Sequence, residues 1–163
     1  MECLFQNCNA LQTLTLGDSF NTGNVTKMNN MFSSCHELPS LDLSNFETSN
    51  VSDMKNMFYD CISLSSLDLS SFNTNKTTDM SNMFNGCESV TSLNLSSFNT
   101  SNVSDMNHMF AHCEKINELD LSMFDTSKVT NMSGMFANCE VLTSLDFSNF
   151  NTSIVKDMSS MFS

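Results

Sequence analysis

A cysteine at nearly constant spacing constrains this chain more than any other feature. Cys8, Cys35, Cys61, Cys87, Cys113 and Cys139 fall 27, 26, 26, 26 and 26 residues apart. Each closes a copy of one motif: "SNVSDMKNMFYDC" ends at Cys61, "NKTTDMSNMFNGC" at Cys87, "SNVSDMNHMFAHC" at Cys113 and "SKVTNMSGMFANC" at Cys139. A fixed period of 20 to 50 residues signals a solenoid or a related array. Counted from Leu41, the unit is L-x-L-S-x-F-x-T-S-N-V-x-D-M-x-N-M-F-x-x-C-x-x-L-x-S, 26 residues long. Units begin at Leu14, Leu41, Leu67, Leu93, Leu119 and Leu145, and the first carries one extra residue around Gly17-Asp18. The expected organisation is a single repeat solenoid over residues 1–163 with partial units at both ends. Terminal repeats normally carry a polar cap, and neither end shows one, which predicts a segment of a longer protein.

The repeat absorbs the unusual composition. Of fourteen Phe, six form a row through Phe46 and seven a row through Phe58, leaving Phe147 in place of a strand Leu. Thirteen of fourteen Met fall in rows through Met54 and Met57, with Met123 alone outside, so they read as core filler rather than metal ligands. Seven cysteines in a small secreted chain would suggest a disulfide framework. One per unit reads instead as a ladder of buried free thiols, disulfides and zinc being the alternatives. Cys3 and Cys8 are the only close pair, and a zinc site usually wants two.

Two periodicities predict an α/β unit. "SLDLS" alternates, placing Leu41 and Leu43 on one side and Ser40, Asp42 and Ser44 on the other, as in a half-buried strand. Met54, Met57, Phe58 and Cys61 stand at i, i+3, i+4 and i+7, the stripe of a short helix. Ser52 is placed to cap that helix, with Asp53 in its first turn. Between them lies a polar loop, "NFETSN", pinned by Phe46 and Val51. Stacking about six such units predicts a parallel sheet on one face and short helices or helical turns on the other.

Charge excludes some functions. Six basic residues, all Lys, stand against 18 acidic ones. A phosphate backbone demands a basic patch, so nucleic acid is not an expected partner, and an anionic membrane surface is disfavoured for the same reason. No apolar run reaches the 18 or so residues of a membrane span, and no segment reads as a signal peptide. An export signal, if the protein is exported, would lie outside this segment.

"LDLSNFETSNVSDMKNMFYDC" and its copies resemble the 26-residue surface-protein repeat of BspA-like leucine-rich repeat proteins, with many Mycoplasma and Lactobacillus members. "MF-x-x-C-x-x-L" also parallels the "AF-x-x-C-x-x-L" core of the shorter Treponema-type repeat. The resemblance covers essentially the whole chain. It implies a leucine-rich-repeat solenoid from a cell-surface or secreted protein, adhesion being the role proposed for some members. It carries over no catalytic residue.

The candidate binding face is the outward row Asp42, Asp68, Asn94, Asp120 and Asp146. It is flanked by Ser40, Ser66, Ser92, Glu118 and Ser144 and by Ser44, Ser70, Ser96, Ser122 and Ser148. Adjacent strands lie about 4.8 Å apart, so these carboxylates repel unless solvated, protonated or bridged. Hard oxygen ligands at that spacing suit weak Ca²⁺ binding, although no cofactor or dedicated metal site is expected. The plainer reading is a solvated polar face. Interface hot spots favour Trp, Tyr and Arg, and the chain has no Trp, no Arg and only Tyr59. Any binding would therefore be weak per unit and gain from repetition.

His108 and His112, four apart, would meet on a helix near Asp105, but that spacing is common by chance. Sequons at Asn24, Asn50, Asn102 and Asn131 matter only if the host glycosylates exported proteins. The expectation is a non-enzymatic surface segment acting in adhesion or recognition, with a host extracellular-matrix or cell-surface protein as partner. The alternative is a passive stalk with no ligand of its own.

Overall fold

The structure, a computed structural model, describes residues 1–17 and 19–163. The one-residue insertion around Gly17-Asp18 falls partly on Asp18, outside the described residues. Consecutive 26-residue coils lie one on another, tied by backbone hydrogen bonds from each coil to the next. Met54, Asn56, Phe58 and Asp60 donate to the carbonyls of Asp79, Ser81, Met83 and Asn85 at 3.1, 2.9, 3.0 and 2.7 Å. One coil on, Met80, Asn82, Phe84 and Gly86 donate to Asp105, Asn107, Met109 and Ala111.

The expected helix from Met54 to Cys61 is absent, and no helix occurs among the described residues. An α-helix would direct the Phe58 N–H to the Met54 carbonyl; it goes to Met83 of the next coil instead. The intervening N–H groups close β-turns within the coil, Met57 onto Met54, Tyr59 onto Asn56 and Cys61 onto Phe58. Asn56 and Asp60 sit at φ 54° and 58°, on the left-handed side that an α-helix cannot contain. A run of such turns delivers the same residues inward as a helix would. Met54, Met57 and Phe58 are 0% exposed and Cys61 is 1% exposed. The periodicity therefore identified the buried residues but not the backbone that buries them.

Ser52 caps no helix. Its N–H and hydroxyl both donate to the Thr26 carbonyl, at 2.9 and 3.2 Å. Asp53 lies in a parallel bridge ladder running Lys27, Asp53, Asp79, Asp105, Asn131, Asp157, with one residue from each coil.

The sheet is also smaller than expected. Strands β1 (Ser40–Leu41) and β2 (Ser66–Leu67) pair in parallel, Ser40 with Ser66 and Leu41 with Leu67. The extended run stops because the next residue turns the chain: Asp42 Oδ1 accepts the Ser44 N–H at 3.0 Å. Alternation still holds, with Leu41 and Leu43 buried and Asp42 and Ser44 exposed.

The polar loop is pinned by more than Phe46 and Val51. Thr22, Thr48, Thr74, Thr100 and Thr126 are all buried. Thr74 Oγ1 donates to the Asn99 carbonyl at 2.9 Å and accepts the Asn99 N–H at 2.8 Å. Thr48 makes the same pair of bonds with Asn73, and Thr100 with Asp125.

Aromatic ladders fill the interior. Phe32, Phe58, Phe84, Phe110 and Phe136 stack at 5.7 Å between centroids, within 9° of parallel. A second row, Phe46, Phe72 and Phe98, stacks at 6.5 and 6.4 Å. Burying one Phe contributes about 1.5–3 kcal/mol and an aromatic pair adds about 0.5–1.5 kcal/mol, so these rungs add to the packing that the buried Leu, Val and Met of each coil supply. Beside them run the thiols, all seven of them free. Cys61 Sγ donates to the Phe32 carbonyl at 3.2 Å and Cys87 Sγ to Phe58 at 3.2 Å. Burial pushes the Cys61 thiol up to about 12 and raises Cys87 well above its ordinary value.

Candidate functional site

The row Asp42, Asp68, Asn94, Asp120 and Asp146 is exposed in every coil. The parallel register of β1 and β2 brings Asp42 alongside Asp68. Asp68 and Asn94 line one shallow open depression, and Asp120 and Asp146 line another beside Glu118. The row is continuous along the stack.

Each member is committed to its own turn. The side-chain oxygen two residues upstream accepts the N–H of Ser44, Ser70, Ser96, Ser122 and Ser148 at 3.0, 2.9, 3.1, 2.9 and 2.8 Å. These are Asx turns, the local bond by which Asp and Asn redirect a chain. The Ser44 hydroxyl and then its N–H hold Asp42 below the usual carboxylate range. The N–H leads at Asp68 and Asp146, and the hydroxyl leads at Asp120. At Asp68 the charge of Asp42 pushes the other way and is outweighed. Electrostatic repulsion along the row is thus met by local hydrogen bonds rather than by protonation. One oxygen of each carboxylate is occupied, and the chemistry left is that of an acceptor-rich, anionic strip.

A second row uses the same device on another face. Asp53, Asp79 and Asp105 accept from the N–H groups of Lys55, Ser81 and Asn107 at 3.0, 2.9 and 2.9 Å. Asn131 replaces the carboxylate and keeps the turn, accepting from Ser133.

Among the described residues the three histidines do not gather into one site. His108 and His112 sit at φ 52° and 56° in separate turns, not on a helix face. His108 Nδ1 is 3.3 Å from Asn107 Oδ1, and Asn138 Nδ2 donates to His112 Nε2 at 3.4 Å. His36 Nε2 pairs with Asp60 Oδ2 of the next coil at 2.8 Å. Among the described residues no group of three or more His, Cys, Asp or Glu is gathered to hold a metal ion. No helix among them is long and apolar enough to cross a membrane.

Two kinds of structural row are not evident from hydrophobic periodicity. The buried threonines were signalled by an invariant F-x-T in each unit, from Phe20-Asn21-Thr22 to Phe124-Asp125-Thr126. Of two left-handed rows, one runs Asn7, Ser34, Asp60, Gly86, His112 and Asn138 and the other Asn30, Asn56, Asn82, His108, Gly134 and Ser160. The signal of the second was Gly134 standing where other coils carry Asn, since both tolerate that backbone.

The sequence matches the family described as "Mycoplasma protein of unknown function, DUF285" over residues 1–94 and 61–163. No curated protein matches it. Among solved structures it is similar to a leucine-rich repeat protein from Eubacterium ventriosum, with 16% identity and a TM-score of 0.45 over 73% of this chain and 28% of that one. A leucine-rich repeat protein from Bacteroides ovatus is similar at 17% identity and a TM-score of 0.38, over 72% of this chain and 34% of that one. The chain thus spans about a third or less of the length of either protein.

Proposed function

The chain belongs to the DUF285 family along its whole length, and from that premise we propose that it is a non-enzymatic recognition segment of a cell-surface protein. The observation that carries this reading is the Asp42 row, in which each of the five coils from Leu41 onward presents an outward Asp or Asn held in the same Asx turn. The row repeats one weak contact along the stack. A partner with matching repeated groups gains affinity by repetition rather than from a single hot spot. The partner class is a host extracellular-matrix or cell-surface protein. Ca²⁺ has a place in this reading only as a weak bridge between neighbouring free carboxylate oxygens.

The stalk reading has its own support in the buried ladders. The Phe58 row and the Thr and Cys rungs continue without interruption from coil to coil, as a spacer requires.

Capture of the purified chain by immobilised matrix proteins and intact cells, with and without a calcium chelator, tests the proposal. Capture in both buffers supports direct recognition. Capture lost on chelation supports recognition bridged by the cation. An absence of capture in either buffer overturns recognition and leaves the stalk.

A further inference from the structure

Every hydrogen bond among the described residues joins partners within one coil or in adjacent coils, the widest separation being the 30 residues from Cys35 Sγ to the Phe5 carbonyl. The aromatic pairs obey the same limit, Phe58 meeting Phe32 on one side and Phe84 on the other. Nothing bonded in this way skips a coil. The coil-to-coil bonds run along the stacking direction, from Met54 to Asp79 and onward from Met80 to Asp105. A pull between the two ends passes in series through every interface, but in each end coil it falls on the few bonds nearest the attached residue, so that coils peel from the ends. Shear, in which all bonds share the load together, does not arise.

We propose that the chain is an extensible tether whose coils open one at a time under tension, each uncovering one cysteine. The thiol count follows from the sequence and the burial. Each internal coil holds one cysteine, and Cys35, Cys61, Cys87 and Cys113 are buried with their Sγ groups donating to the preceding coil's Phe carbonyl. Opening an interface breaks that bond and exposes the thiol. Nearest-neighbour coupling is what allows a repeat array to open in parts rather than all at once. The inference does not depend on whether the Asp42 row captures a ligand, and its test is separate from that of the proposed function.

The experiment stretches the 163-residue chain between handles attached enzymatically at its two termini, so that no thiol is consumed. The exposed Cys3 and the half-buried Cys8 and Cys139 are first blocked with N-ethylmaleimide. Ramped force is expected to give successive steps of roughly 85 Å, the extended length of 26 residues less the spacing of one coil. A fluorescent maleimide supplied at held extensions is expected to label the four buried cysteines progressively, one as each internal coil opens after the blocked end coils. A single rupture that releases the whole chain and exposes all four thiols together overturns the proposal. A Thr74→Val variant, which loses the hydroxyl bonds to Asn99, is expected to keep the same step length and lower the force of one step. Equal lowering of every step contradicts nearest-neighbour coupling.

Discussion

At the scale of single residues, stability rests on groups with no outward role. The Thr74 hydroxyl satisfies both the N–H and the carbonyl of Asn99 from a buried position. Thr74→Val keeps the shape and strands two backbone groups, a cost of about 1–3 kcal/mol. Thr74→Ser keeps the hydroxyl and is expected to recover most of that loss, as urea-denaturation midpoints would show. The thiols give a pH dependence of definite sign. The unfolded Cys61 thiol ionises near its ordinary 9.0, whereas the folded one is held protonated up to about 12. Above pH 9 the unfolded state therefore loses protons that the folded state keeps, and stability falls as pH rises. The stabilisation is complete below 9, and the slope is about 1.4 kcal/mol per pH unit for each such thiol. Cys61→Ala is expected to make the decline between pH 9 and 11 shallower; an unchanged slope would show that this thiol does not titrate as described.

At the scale of the element, the run of turns from Met54 to Leu64 replaces a helix. Its burial was legible because any backbone that places Met54, Met57, Phe58 and Cys61 inward produces the same hydrophobic spacing. Its conformation was not, because i, i+3, i+4, i+7 is blind to whether an N–H bonds back four residues or across to the next coil. The deciding residues were the polar ones between. Asn56 and Asp60 look like solvent-facing helix positions, yet they occupy left-handed backbone. The strand was over-read for a related reason, since alternation in "SLDLS" continues past the point where Asp42 begins its turn. The exposure of the Asp42 row was legible because strand alternation sets it whether or not the sheet extends. Its Asx turns were not, because Asp followed two residues later by Ser is too common to flag one. Far-UV circular dichroism is expected to lack the paired helical minima at 208 and 222 nm. Gly86→Ala tests the turn itself. Gly86 has φ +78°, and an added Cβ would stand 3.0 Å from the Asp60 Cα, a backbone atom. The left-handed conformation alone costs about 1–2 kcal/mol for a residue with a Cβ, so a loss of at least that size is expected in thermal or urea unfolding.

At the scale of the whole molecule, buried and exposed rows divide the work. Phe, Thr and Cys rungs hold the coils in register, and that register aligns the exposed Asp42 row. Recognition by such a row predicts graded behaviour rather than dependence on one residue. The most direct test is a binding titration against the captured matrix or cell partner with a series of charge reversals. It adds Asp42→Lys, Asp68→Lys, Asp120→Lys and Asp146→Lys one at a time, each assayed where its unfolding curve shows it folded, because Lys also forfeits the Asx bond. Each reversal is expected to weaken binding further by a similar factor, whichever is introduced first. Loss of all binding on any single reversal, or undiminished binding with all four in place, would contradict recognition through the repeated face.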